Sequence, residues 1–130
     1  MKKSSVKPIL GLRTAIYHVP DLAKAKTWYS RALGIKPYFD QPFYVGFNVG
    51  GYELGLHPGK SGPAKKDSGL VVYWGVNDAA TSVKRLIKLG AKKHQPVLDV
   101  GEGIRVATVA DPFGNIFGLI ENPHFKLPSK

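Results

Sequence analysis

Cysteine is absent from the 130 residues. That excludes disulfides, thiolate nucleophiles and cysteine-ligated zinc or iron–sulfur centres, and it fits a reducing, cytoplasmic setting. Acidic residues are scarce, 9 Asp and Glu against 19 Lys and Arg, which gives a formal net charge of +10. Such an excess invites nucleic acid as a partner, but its distribution argues against a specific one. Lys2, Lys3 and Lys7 lie at the N-terminal end, Lys60, Lys65 and Lys66 in a polar stretch, and the local groups are Lys84/Arg85/Lys88 and Lys92/Lys93. No arginine-rich recognition helix, zinc-finger spacing or aromatic RNA-binding strand accompanies them. Long apolar runs are missing too. Nothing approaches the roughly 20 residues of a membrane helix, and Gly11, Arg13 and His18 interrupt any apolar signal core after the basic start. What remains, 43% hydrophobic and 22% charged, is the composition of one folded domain with a core of its own.

The chain repeats itself. Ile16-Tyr-His-Val-Pro-Asp21 precedes a helical pattern from Leu22 to Gly34, and Tyr73-Trp-Gly-Val-Asn-Asp78 precedes one from Ala79 to Gly90. In each, Asp is placed to cap the first turn and Gly to close the last. The apolar stripes are Leu22, Ala25, Tyr29, Ala32 and Leu33 in the first helix, and Ala79, Val83, Leu86 and Ile87 in the second. Extended segments follow each helix. After the first come Pro37-Tyr-Phe39, Phe43–Val49, a Gly50-Gly51 hairpin signal and Tyr52–His57. After the second come a loose stretch from Ala91 to Leu98, Ile104–Val109, the turn Asp111-Pro-Phe-Gly-Asn115 and Ile116–Glu121. The order βαβββ is written twice. It predicts an α+β domain over 10–123, with module one at 10–57, module two at 69–123 and a Gly/Pro/Ser/Lys linker at 58–68.

The Tyr-His-Val-Pro-Asp-Leu pattern, the following Trp-Tyr and Leu-Gly, and the late Asp-Pro-Phe-Gly-Asn box before an apolar strand ending in Glu resemble the vicinal oxygen chelate superfamily. That superfamily includes glyoxalase I, bleomycin-resistance proteins, fosfomycin-resistance enzymes and extradiol dioxygenases. The resemblance implies curved mixed sheets around a cup and a homodimer. In metal-dependent relatives the ligands come from the first strand of each module and the last strand of one or both. The family count of seven residues back from Asp21 reaches Thr14, and from Asp78 reaches Val71, while the last-strand positions fall on His57 and Glu121. Valine offers no lone pair and a neutral hydroxyl is a weak ligand. The resemblance therefore implies no favoured cofactor, with a divalent metal (Ni, Zn, Mn or Fe) on His18, His57 and Glu121 as the alternative.

Strand alternation groups the candidates by face. Thr14, Ile16 and His18 share one face, as do Glu53, Gly55 and His57, and Phe117, Leu119 and Glu121. If these are the cup-facing sets, His18, Glu53, His57 and Glu121 converge, with Glu121 and Glu53 the candidates for moving a proton. Tyr44 and Asn48 share a face as directional hydrogen-bonding groups, Tyr73 opens the second module, and Arg105 is placed to pair with an anion. The expectation is a small-molecule-binding protein with an aromatic or anionic ligand. A metal-dependent lyase or isomerase, and a non-catalytic structural or interaction protein, are the alternatives.

Overall fold

The computed structural model describes residues 8, 12–59 and 71–126. The linker beyond Gly59 and the lysines at positions 2, 3, 7, 60, 65 and 66 lie outside them. Ten elements follow in order: β1 (Thr14–Val19), α1 (Leu22–Leu33), β2 (Phe39–Gln41), β3 (Tyr44–Val49), β4 (Tyr52–Pro58), β5 (Tyr73–Gly75), α2 (Ala79–Lys88), β6 (Lys92–Gly101), β7 (Ile104–Ala110) and β8 (Ile116–Glu121). They form two mixed four-stranded sheets of the same design, β1-β4-β3-β2 and β5-β8-β7-β6, with the first strand of each parallel to the last. The doubled βαβββ module is thus the architecture. No helix among the described residues is long and apolar enough to cross a membrane.

The helix ends follow from their caps. Asp21 accepts from the Lys24 amide at 3.1 Å, and Asp78 from the Thr81 amide at 2.9 Å. Gly34 closes α1 in the left-handed region at φ 74°, where a Cβ would be strained. The two C-termini are also tied to each other. Arg85 donates to the Ala32 and Arg31 carbonyls that α1 leaves unpaired, at 2.8 and 2.6 Å, and Trp28 Nε1 donates to the Leu89 carbonyl at 2.8 Å. Trp28 was not in the predicted stripe of α1 but is buried there, whereas Ile87, predicted as core in α2, is exposed. The second strand of module two is longer than the loose stretch predicted. It runs for ten residues with register shifts around Gln95 and Leu98, an edge strand on which Pro96 is tolerated.

One core joins the modules. The inward faces of both sheets contribute to it: Tyr17, Val19, Phe47, Leu54 and Leu56 from the first, and Trp74, Val109, Phe117 and Leu119 from the second. Each such side chain, buried, contributes roughly 1.5–3 kcal/mol. Edge-to-face contacts organise the centre, with Tyr17 at 5.9 Å from Tyr29 and 6.2 Å from Phe117. Polar atoms drawn into this core are partnered: Trp74 Nε1 donates to Tyr17 Oη at 3.0 Å, and Tyr29 Oη donates to Asp111 at 2.6 Å. With the inward faces committed to the core, the other face of the first sheet carries exposed side chains among the described residues, Thr14, Ile16 and His18 on β1.

Candidate functional site

Register decides what the open face of the first sheet carries. Thr14 pairs with Glu53, Ile16 with Gly55 and His18 with His57 across the parallel β1–β4 ladder. Asn48 pairs with Glu53 and Gly46 with Gly55 across β3–β4, and Phe39 pairs with Gly46 across β2–β3. Two glycines therefore stand side by side in the middle of the face. A Cβ on Gly55 would overlap the Tyr44 phenol, and one on Gly46 would lie 3.0 Å from Glu53 Oε2 and 3.3 Å from the Tyr38 ring. Only glycine leaves room for these side chains to lie flat on the sheet.

On that floor Tyr38 Oη donates to Glu53 Oε1 at 2.7 Å and Tyr44 Oη to Glu53 Oε2 at 2.5 Å. Both phenols are shifted upward. For Tyr38 the bond to the carboxylate is the main cause, and for Tyr44 it is burial, followed by the same carboxylate, with a hydrogen bond from Thr14 opposing. Both therefore stay neutral donors. Phe39 lies 6.1 Å from Tyr44 and 6.0 Å from Phe43, ring centre to ring centre, extending the aromatic wall. At the other end of the face the exposed His18 and His57 rings meet edge to face at 5.3 Å, with His57 Nδ1 at 2.9 Å from the Pro58 carbonyl. Four residue steps along β4 separate Glu53 from His57, a span of about 13 Å.

The remaining candidates are elsewhere. Phe117 and Leu119 are in the core, so the set that includes Glu121 faces inward, opposite to the faces of Thr14 and Glu53. Glu121 Oε1 accepts from the Ala79 amide at 2.9 Å, where a carboxylate stabilises the start of a helix. Arg105 is the register partner of Glu121, and its charge helps to hold Asp78 below the usual carboxylate range, behind the hydrogen bonds from Thr81. It is exposed and stands on the second sheet, away from the open face of the first. Asn48 is occupied in the hairpin, its Oδ1 accepting from the Gly51 amide at 2.8 Å. Tyr73 covers Gly118 on the second sheet, as Tyr44 covers Gly55 on the first. The predicted convergence of His18, Glu53, His57 and Glu121 is corrected: the fold pairs the two histidines and separates them from both carboxylates. Among the described residues no three His, Asp or Glu side chains gather as a metal-ligand group. The glycine floor and Tyr38 are the elements sequence reasoning missed; the phenylalanine and tyrosine crowding around positions 38–44 was their only local signal.

A concavity of about 720 Å³ lies apart from the open face of the first sheet, between the β3–β4 hairpin and β5, lined by Val49, Tyr52, Val72, Tyr73 and Ile120 with Asn77 and Asn122 as polar residues. A shallower one of about 380 Å³ separates α1 from β2 beside the Lys26–Asp40 ion pair.

Comparison with solved structures returns the same architecture. A glyoxalase-related enzyme from Fulvimarina pelagi superposes with a TM-score of 0.73 at 20% identity, covering 93% of this chain and 94% of that one. TioX from Micromonospora sp. ML1 matches at 0.66 and 20%, covering 85% and 97%. The fosfomycin resistance protein FosX from Mesorhizobium loti matches at 0.65 and 16%, covering 92% and 96%. At these identities the likeness speaks for the fold alone. The search of curated proteins finds no match. The family model described as Glyoxalase/Bleomycin resistance protein/Dioxygenase superfamily matches residues 11–119. With most of the chain matched and the doubled βαβββ architecture in place, the protein belongs to the glyoxalase/bleomycin resistance protein/dioxygenase superfamily.

Proposed function

We propose that the chain is a small-molecule-binding protein whose site is the open face of the first sheet, and that it works without the metal centre of its metal-dependent relatives. One observation carries the reading: the Tyr38–Glu53–Tyr44 cluster lies over the Gly46–Gly55 pair on a sheet face that neither described helix covers. A convergent polar group in an aromatic setting is the usual make-up of a ligand site. The donor chemistry supports the second half of the proposal. Of the four positions the resemblance implies, Thr14 offers a neutral hydroxyl and Val71 no lone pair, Glu121 is held by the Ala79 amide, and His57 stands beside His18 with no carboxylate among the described residues gathered around the two.

The test is a fragment screen by amide chemical shifts on the full chain. Hits are expected to move the β2–β4 amides and to lose that effect in Gly55→Ala, where the new methyl displaces the Tyr44 ring. Hits that cluster instead on the cleft at Tyr52 and Tyr73 would overturn the assignment. Elemental analysis after soaking with nickel, zinc, manganese and ferrous iron is expected to find no tightly held ion. About one per chain would restore the lyase reading.

A homodimer is part of the proposal. Leu12, Val71 and Tyr73 are exposed apolar side chains that a second copy would cover. Sedimentation equilibrium is expected to return twice the chain mass, and a monomer at all concentrations would remove this element.

A further inference from the structure

The chain carries +10 formal charge, yet the strand positions of its candidate site include one formally charged side chain, and it is an acid, Glu53. Glu53 is half-buried and has no cation as a partner among the described residues, where the ion pair found is Lys26–Asp40. Arg13, whose carbonyl receives the Glu53 amide, turns its guanidinium to the Leu12 carbonyl at 3.1 Å. Neutral phenols hold the carboxylate in place instead. Two ionised oxygens offer about four acceptor positions, and Tyr38 and Tyr44 take one on each oxygen. Acceptor capacity is left over for a ligand, beside rings whose faces attract positive charge.

We infer that this face, taken as the binding site proposed above, selects ligands carrying a protonated amine or quaternary ammonium group, with Glu53 as counter-ion and Tyr38, Phe39 and Tyr44 as the aromatic walls. Cations are held by aromatic faces within about 6 Å of the ring centre, and Phe39 and Tyr44, adjoining rings with centres 6.1 Å apart, are close enough together to be reached by one such group seated beside Glu53. Contact with a carboxylate outweighs the distributed lysines, because exposed charges further away than about 8 Å are screened at physiological ionic strength. Ile16, exposed beside Gly55, supplies apolar surface for the body of the ligand, which continues toward His18 and His57. An anionic ligand paired with Arg105, the other expectation from the sequence, would have to bind elsewhere, since Arg105 stands on the second sheet and off this face.

The probes are benzyltrimethylammonium, benzylamine, benzyl alcohol and benzoate, titrated separately into the full chain with amide shifts as readout. Both cations are expected to bind at the β2–β4 amides about tenfold or more tighter than benzoate, and to weaken as salt is raised while benzyl alcohol does not. Glu53→Gln is expected to abolish the preference, bringing both cations down to the affinity that benzyl alcohol has for the same variant. Should that variant not fold, the charge series and its salt dependence on the native protein decide alone. Equal binding of all four at β2–β4, or a preference for benzoate, overturns the inference and leaves the site standing. No shift at β2–β4 with any probe overturns both.

Discussion

Replacing Asp111 by alanine is expected to lower the unfolding free energy by about 3–5 kcal/mol, a large part of the 5–15 kcal/mol typical of a domain. Asp111 is 3% exposed, and it organises the turn and the junction between modules at once. Its Oδ1 accepts from the Phe113 and Asn115 amides at 2.9 and 2.8 Å. Its Oδ2 accepts from Tyr29 Oη at 2.6 Å and from the Asn115 side chain at 3.3 Å, while Asn115 reaches on to the His18 carbonyl at 3.0 Å. Alanine would orphan the Tyr29 hydroxyl in the core, where it cannot reach water, and free two turn amides. Asp111→Asn keeps an oxygen for the turn and is expected to cost clearly less. Urea denaturation of the three proteins checks the order, and a loss below about 1 kcal/mol for the alanine variant would sink the argument.

Stability is expected to fall steeply in alkali, between about pH 10 and 12. Burial pushes the Tyr17 phenol from 10.0 up to about 12, with the Trp74 hydrogen bond opposing and the Asp111 charge adding to the rise. Tyr29 moves well upward for the same reason, and Asp111 reinforces it by charge and by hydrogen bond. The sign follows from proton binding. Between the unfolded and folded values the native state holds protons that the unfolded chain has released, so stability is complete below pH 10 and is lost as pH rises through the folded value. For Tyr17 a displacement from 10.0 to about 12 corresponds to about 2.7 kcal/mol. Tyr17→Phe is expected to be less stable at neutral pH, through loss of the acceptor for Trp74, yet flatter with pH by about that amount. Other groups titrating in this range are common to both proteins, so the difference between their stability–pH curves reports Tyr17 together with its smaller effect on Tyr29. Parallel curves would show that Tyr17 does not carry the loss.

Much of the fold was legible because its signals are local. An Asp followed by an apolar helical period, with Gly at the end, marks α1 in the sequence as it does in the structure, and the Gly50-Gly51 pair with φ of 63° and 96° forms the predicted hairpin. The Asp-Pro-Phe-Gly-Asn box was legible as a turn and as a family marker, but its reach to Tyr29 and His18 was not, because those partners lie 82 and 97 residues away. Burial of Trp28 was hidden for a similar reason: its indole is drawn inward by a carbonyl at the end of the other helix. At the site, Glu53 and Tyr44 were legible as candidates and His18 and His57 as face-mates. Tyr38 as a ligand of Glu53 was not, because nothing local announces that two glycines on neighbouring strands will clear the space between them.

The sequence by itself determined which segments form elements, where they end and which residues alternate together, since capping, turn chemistry and the two-residue period act over a few residues. Only the tertiary structure decided which of the two faces of each strand meets the core. Phe117, Leu119 and Glu121 alternate as regularly as Thr14, Ile16 and His18, yet the first set packs inward and the second stays open. Alternation is symmetric between faces, and what breaks the symmetry is the apolar area the partner sheet and helices can bury, a sum over residues distant in the chain. That choice makes Glu121 a helix cap and leaves Glu53 on the open face with its two tyrosines.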